Sequence, residues 1–201
     1  MAIKFQYNKT SLQQLEKQLK MRVRTLPIIK NKESALRMEV KKCKAELAAL
    51  ARGLEEQIQA YEAMFALWSE FDPSIVSVKD VDMGVRKIAG VRVPVLNNVE
   101  LAVRPFSMFN SPKWYYDGIA LLRGLARTAI EKEFVQAKLG LLEYSRKKTT
   151  QKVNLFEKVQ IPGYEDALRK IKRFMEDEEN LSKSSQKILK TLQEKRKEAE
   201  A

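Results

Sequence analysis

Apolar residues recur every three or four positions from Leu12 onward: Leu12, Leu15, Leu19, Val23, Leu26, Ile29, Leu36, Val40, Cys43, Leu47, Leu50, Leu54, Ile58, Tyr61, Phe65 and Trp68. Glu33 fills the one gap. Such a sustained heptad seam predicts one long helix whose narrow apolar stripe needs a partner helix. Ser11 or Thr10 is placed to cap its start, and Asp72-Pro73 ends it. Pro27 lies inside and removes one hydrogen bond, so a kink or local loosening is expected there. A second seam starts after "NSPKWYYDG", with Ser111 as the cap and Pro112 at the first helical position. It runs through Ile119, Leu122, Leu125 or Ala126, Ala129, Ala137, Leu141, Tyr144, Leu155, Val159, Leu168, Ile171, Met175, Ile188 and Leu192. Pro162-Gly163 interrupts it, and because the seam resumes beyond, a kink is expected rather than a break.

Between the two seams the pattern changes. "VRKIAGVRVPVL" and "VELAVRPF" are rich in valine and have no helical period. They flank Asn97-Asn98, a pair that tolerates positive φ, so a hairpin over about 85–103 turning at the asparagines is expected. Pro94 would be confined to an edge or a bulge. A lone hairpin is marginal in water and must lean on the helices or on a partner. It is expected to add little to the helices, so that replacing it would leave them folded.

At ~1.5 Å per residue the first arm is about 90 Å long and the second about 130 Å. The economical arrangement is an antiparallel pair with the middle as its bend. Residue 50 then lies near residue 133, residue 10 near residue 173, and about the last 20 residues overhang as a single helix. The glycines of "RGLAR" and "AKLGLL" are placed to let the arms approach closely, or are ordinary helix irregularities. The fold class is therefore all-α dominated: a long antiparallel two-helix coiled coil with a small β-hairpin at the bend. Its parts are an N-terminal arm over 1–72, a central bend over 73–112 and a C-terminal arm over 113–201.

Charge sharpens the picture. The net charge of +12 on 201 residues is carried by the arms: residues 9–50 hold eleven basic and four acidic side chains, and residues 113–164 hold ten and five. The middle, 51–112, holds six and eight. Basic arms suit an anionic or acidic surface, whether nucleic acid, a protein sleeve or a membrane.

Little in the chain suggests chemistry. Histidine is absent and Cys43 is the single cysteine, which argues against a histidine base and a cysteine-based zinc site. Cys43 reads as a seam residue. No phosphate-binding, dinucleotide-binding or serine-nucleophile motif is present. The acids Glu176 to Glu179 are consecutive on a helix and fan around it, and Trp114, Tyr115 and Tyr116 read as packing at a helix start. No catalytic, cofactor-binding or metal-binding residue is assigned. No apolar run reaches the ~18 residues of a membrane span, and the start lacks a signal-type core, so a cytoplasmic chain is expected.

Three segments in order, "NKTSLQQLEKQLKMRVRTLPIIKNKESALRMEV", "GVRVPVL" and "KKTTQKVNLFEKVQIPGYEDALRKIKRFMEDEE", resemble the D subunit of V-type ATPases and ATP synthases in its bacterial form. The resemblance spans essentially the whole chain, with Pro27 and Gly163 as departures. It implies the central rotor shaft, without chemistry of its own, transmitting torque between the catalytic A and B subunits and the membrane ring. The small F subunit of the stalk and the funnel-shaped subunit above the proteolipid ring are the implied partners at the bend. The membrane is met only through the complex, and no nucleic acid is involved. Val91, Val93, Pro94 and Val95 of the hairpin, with Lys41, Lys42 and Lys44 of the first arm, are the expected partner contacts. The competing readings are a basic coiled-coil nucleic-acid binder and a coiled-coil scaffold or chaperone of the prefoldin type.

Overall fold

The computed structural model describes residues 3–60, 62, 70–107, 109 and 112–199. Helix α1 spans Lys9–Ala60, strand β1 Val76–Ile88, strand β2 Val91–Val103, helix α2 Tyr115–Asn154 and helix α3 Ile161–Ala199. A 3-10 turn, Pro73–Ile75, precedes β1, and a π-helical turn, Leu155–Gln160, joins α2 to α3. The chain divides into two compact units, residues 1–31 with 150–201 and residues 32–149. Helices dominate and run antiparallel within each unit, as the seams require, with one two-stranded hairpin.

In the first unit Leu15 packs with Tyr164, Ala167, Leu168 and Ile171. Tyr164 donates its hydroxyl hydrogen to Gln18 Oε1 at 2.7 Å, and the Arg22 guanidinium lies 4.5 Å from the centre of the Tyr164 ring. The same arginine donates from Nε to Gln160 Oε1 at 2.8 Å. The helix start differs from expectation. Asn8 is the cap, accepting from Ser11 N at 2.7 Å, while Ser11 Oγ accepts from Gln6 N. Ser11 is thus not the cap: its N–H is what Asn8 caps, and its hydroxyl ties down Gln6, two residues before the cap. The residues before the helix also fold back on the core: Ile3 and Phe5 pack against it, and Tyr7 meets Phe174 at 4.9 Å. Gly163 explains itself here, since a Cβ at that position would sit 3.1 Å from Ile3 Cδ1.

Neither proline ends its helix. α1 continues through the exposed Pro27. At Pro162 the preceding turn is π-helical, and Ile161 N donates to Phe156 O, five residues back. A π turn inserts one residue and widens the helix where proline lacks an N–H. That insertion shifts the seam. Counting back from Ile171, Leu168 and Tyr164 by heptads reaches Asn154, yet Val153 is the buried residue, and Leu155 and Val159 are exposed. On α2 the buried position is likewise Leu142 rather than Leu141 or Tyr144, and Ala129 and Ala137 face solvent.

In the second unit Glu46 meets Lys138 at 3.4 Å, Lys44 meets Glu143 at 2.7 Å and Thr128 donates to Gln57 Oε1 at 3.4 Å. This is the expected pairing around residues 50 and 133. Glycines 124 and 140 have open space where a Cβ would stand, so they mark no close approach. α2 starts later than expected. Tyr115 N bonds Pro112 O and Gly118 N bonds Trp114 O, so Pro112 lies in the turn before the helix. Ser111, and the seam residues Tyr61, Phe65 and Trp68, fall outside the described residues. Tyr115 packs with Phe71, Ile75 and Ile119, and its hydroxyl accepts from Asp72 N at 3.0 Å; Tyr116 points outward. Asp72 in turn caps the 3-10 turn by accepting from Ser74 N.

The hairpin differs most from its sequence reading. It turns at Ala89-Gly90, with φ of 47° and 81°, and its strands are longer, beginning at Val76. Two positive-φ residues give the turn that matches strand twist. Asn97 and Asn98 lie inside β2, at the register shift between Asp82↔Asn98 and Met83↔Leu96. Pro94 stands opposite Val85, and since both strands of the hairpin are edge strands it keeps to the setting to which a strand proline is confined. Val93 is fully buried with Leu36, Val40, Cys43 and Leu142. The hairpin is therefore part of this unit's core, not an appendage to it. Gly90→Ala should destabilise the unit by about 1–2 kcal/mol through left-handed backbone strain, measured by urea unfolding. The nearest atom to the new Cβ, Lys32 Nζ at 3.4 Å, ends a flexible chain and can move.

Candidate partner-binding surfaces

The expected contact residues separate by role. Lys41 is exposed, Lys42 lies 3.6 Å from Glu39 one turn away, and Lys44 bonds Glu143 across to α2. The hydrogen bond from Lys44, and then its charge, hold the Glu143 carboxyl below its usual range. Val91 packs partly and Val93 wholly against the helices, so both side chains are engaged inside the chain. Pro94 and Val95 instead line a cleft of about 300 Å³, together with Leu96, Val99, Leu50, Phe134 and Val135. Lys138 and Glu46 border it as an ion pair. Burial works against the Lys138 charge, but Cys43 and Glu46 outweigh it and raise its pKa.

The first unit offers a different surface. From Glu176 through Arg196 every side chain is exposed, including Leu181, Ile188 and Leu192. Their spacing, seven and four, continues the apolar face of Ile171 past the point where Tyr7 and Phe174 close the core. The heptad reading of the sequence predicts this overhang and includes Ile188 and Leu192; it omits Leu181, which the same spacing would have found. The acids Glu176 to Glu179 are exposed and Glu179 pairs with Lys183 at 2.8 Å. Among the described residues no group of three metal-ligating side chains occurs, and no helix is long and apolar enough to cross a membrane.

Antiparallel helices with an exposed apolar continuation, a packed hairpin and a lined cleft define a helical protein with apolar surface that its own described residues leave open. The family model for the ATP synthase D subunit matches residues 11–191, and the chain belongs to that family. A V-type ATP synthase D subunit of Borreliella burgdorferi is 30% identical over 192 residues, covering 94% of each chain. One from Chlamydia trachomatis serovar L2 is 30% identical over 182 residues, covering 88% of this chain and 90% of its own. One from Chlamydia muridarum is 31% identical over 157 residues, covering 76% and 77%.

Proposed function

We propose that the chain is the central rotor shaft of a V-type ATPase or ATP synthase, a non-catalytic component transmitting torque between the catalytic A and B subunits and the membrane ring. The observation that carries this reading is the apolar face of Leu181, Ile188 and Leu192, continued on a helix that no described residue of its own unit covers. A narrow apolar stripe on a lone helix needs a sleeve from other chains. In this reading that sleeve is the A and B ring. The bend of the arms, within parts divided at about 72 and 112, then meets the small F subunit of the stalk and the funnel-shaped subunit. Pro94 and Val95 are the hairpin's outward contacts, with Val91 and Val93 holding the strand in place. The chain is peripheral, on the cytoplasmic side, and meets the membrane through the complex.

Rotation is directly observable. Cys43 is buried, so a Lys87→Cys change on the exposed part of β1 supplies a specific attachment point for a bead. With A and B immobilised, ATP should drive stepwise rotation of the bead; a stationary bead during ATP turnover would refute the shaft reading.

Lys41, Lys42 and Lys44 act as diffuse charge against the sleeve. An exposed ion pair is worth about 0–1 kcal/mol, so single Lys→Ala changes should each alter ATP turnover less than about fivefold. Loss of turnover from any one of them, with assembly intact, would contradict a bearing built on spread charge.

A further inference from the structure

A second cleft of about 300 Å³, lined by Leu101, Ala120, Arg123 and Gly124, shares Val99 and Arg127 with the first. The two form one groove between β2 and α2, wholly within residues 32–149. Along α2 it runs from Ala120 to Lys138, about 27 Å or five turns at 1.5 Å per residue. Its apolar lining includes Val95, Leu96 and Leu101 on the strand, Phe134 and Val135 on α2 and Leu50 on α1. Arg123 and Arg127, four apart and on one face of α2, are exposed. Among the described residues neither makes an ion pair. At the other end Lys138 is neutralised by Glu46, and Glu131, one turn beyond Arg127, places a negative charge between the two ends.

We propose that this groove receives an amphipathic helix of a neighbouring subunit, carrying two acidic residues one turn apart that face Arg123 and Arg127. The apolar lining, concentrated at the Phe134 end, suits the apolar face of a helix, and the polar Arg123 end suits its charged edge. The two free guanidiniums at one end set its direction by charge-assisted hydrogen bonds to carboxylates. A nucleic acid is a poor match, because Glu46 and Glu131 break the basic track. The proposal rests on the reading of the chain as part of the rotary complex and adds the chemistry of one partner.

Gly124 has open space at its Cβ position and suits a photo-crosslinking p-benzoylphenylalanine in the full-length chain. In the purified complex, irradiation should join position 124 to a helical segment of another subunit with acids four residues apart. Arg123→Glu with Arg127→Glu should reduce that cross-link about tenfold or more, the loss expected for two charge-assisted contacts, while Arg123→Lys with Arg127→Lys keeps most of it. Cross-links confined to this chain, or to an extended or basic segment, overturn the proposal, as does a yield unchanged by charge reversal. Failure of the tagged chain to co-purify with A and B would instead overturn the shaft reading, and the groove's assignment with it.

Discussion

Replacing residues 76–103 by a short Gly-Ser linker should melt the helices it rests on, not leave them intact. Val93 is fully buried and closes over Leu36, Val40, Cys43 and Leu142, of which Leu36 and Leu142 have no exposed surface. Ile88, Ala89 and Val91 pack on the same cluster. Removing the hairpin would return part of these side chains to water. At about 1.5–3 kcal/mol for each fully buried aliphatic side chain, the loss should reach about 3–5 kcal/mol. That is a large share of the ~5–15 kcal/mol by which an ordinary domain is stable. Circular dichroism should show a lower melting midpoint and less helix at ambient temperature. An unchanged melt would mean that the hairpin is an appendage after all. A milder variant, Val93→Ala, should move the midpoint in the same direction by less, which separates loss of packing from damage by the linker.

Leu142→Ala should be strongly destabilising and Leu141→Ala nearly silent. Leu142 is 0% exposed and Leu141 45% exposed, though the two are adjacent and chemically identical. Truncating a fully buried leucine removes its transfer free energy and leaves a cavity, together about 2–5 kcal/mol. The same truncation at a half-exposed position should change stability by about 1 kcal/mol or less, since alanine also favours the helix. Urea denaturation of the two variants reads the difference directly. Equal losses would mean that the buried face of α2 does not run through Leu142 alone.

That pair of leucines also marks where sequence reasoning stopped. A seam read by spacing assumes one helical period throughout, and both Leu141 and Leu142 satisfy it within a residue. The π turn at Leu155–Gln160 adds a residue, so the faces on its two sides cannot lie on one heptad count. Proline at 162 hinted at an irregularity, but not at its kind. The hairpin turn shows the same limit. Asn97-Asn98 is the better turn pair by propensity, yet Ala89-Gly90 is the turn, because it places Val93 inward over Leu36 and Leu142. A hairpin's register follows the face it must bury, and local turn preference yields to that burial. The valine-proline run shows the same limit, since the sequence does not tell that Val93 turns wholly inward while Pro94 and Val95 stay half-exposed along a cleft. The groove residues Arg123 and Arg127 were not legible, since their strand-side neighbours Val99 and Leu101 are more than twenty positions away in sequence.

By itself the sequence determined the helical class, the antiparallel pairing around residues 50 and 133, the overhang beyond Met175 and the family. These follow from periodicity, chain length and ordered motifs, which are local or additive along the chain. Tertiary structure alone decided the hairpin's turn, its burial against α1 and α2, the phase of the second seam and the groove beside β2. Each of these depends on which of several locally adequate choices buries the most apolar surface. That comparison is made only when distant segments meet, as Val93 meets Leu36 and Leu142.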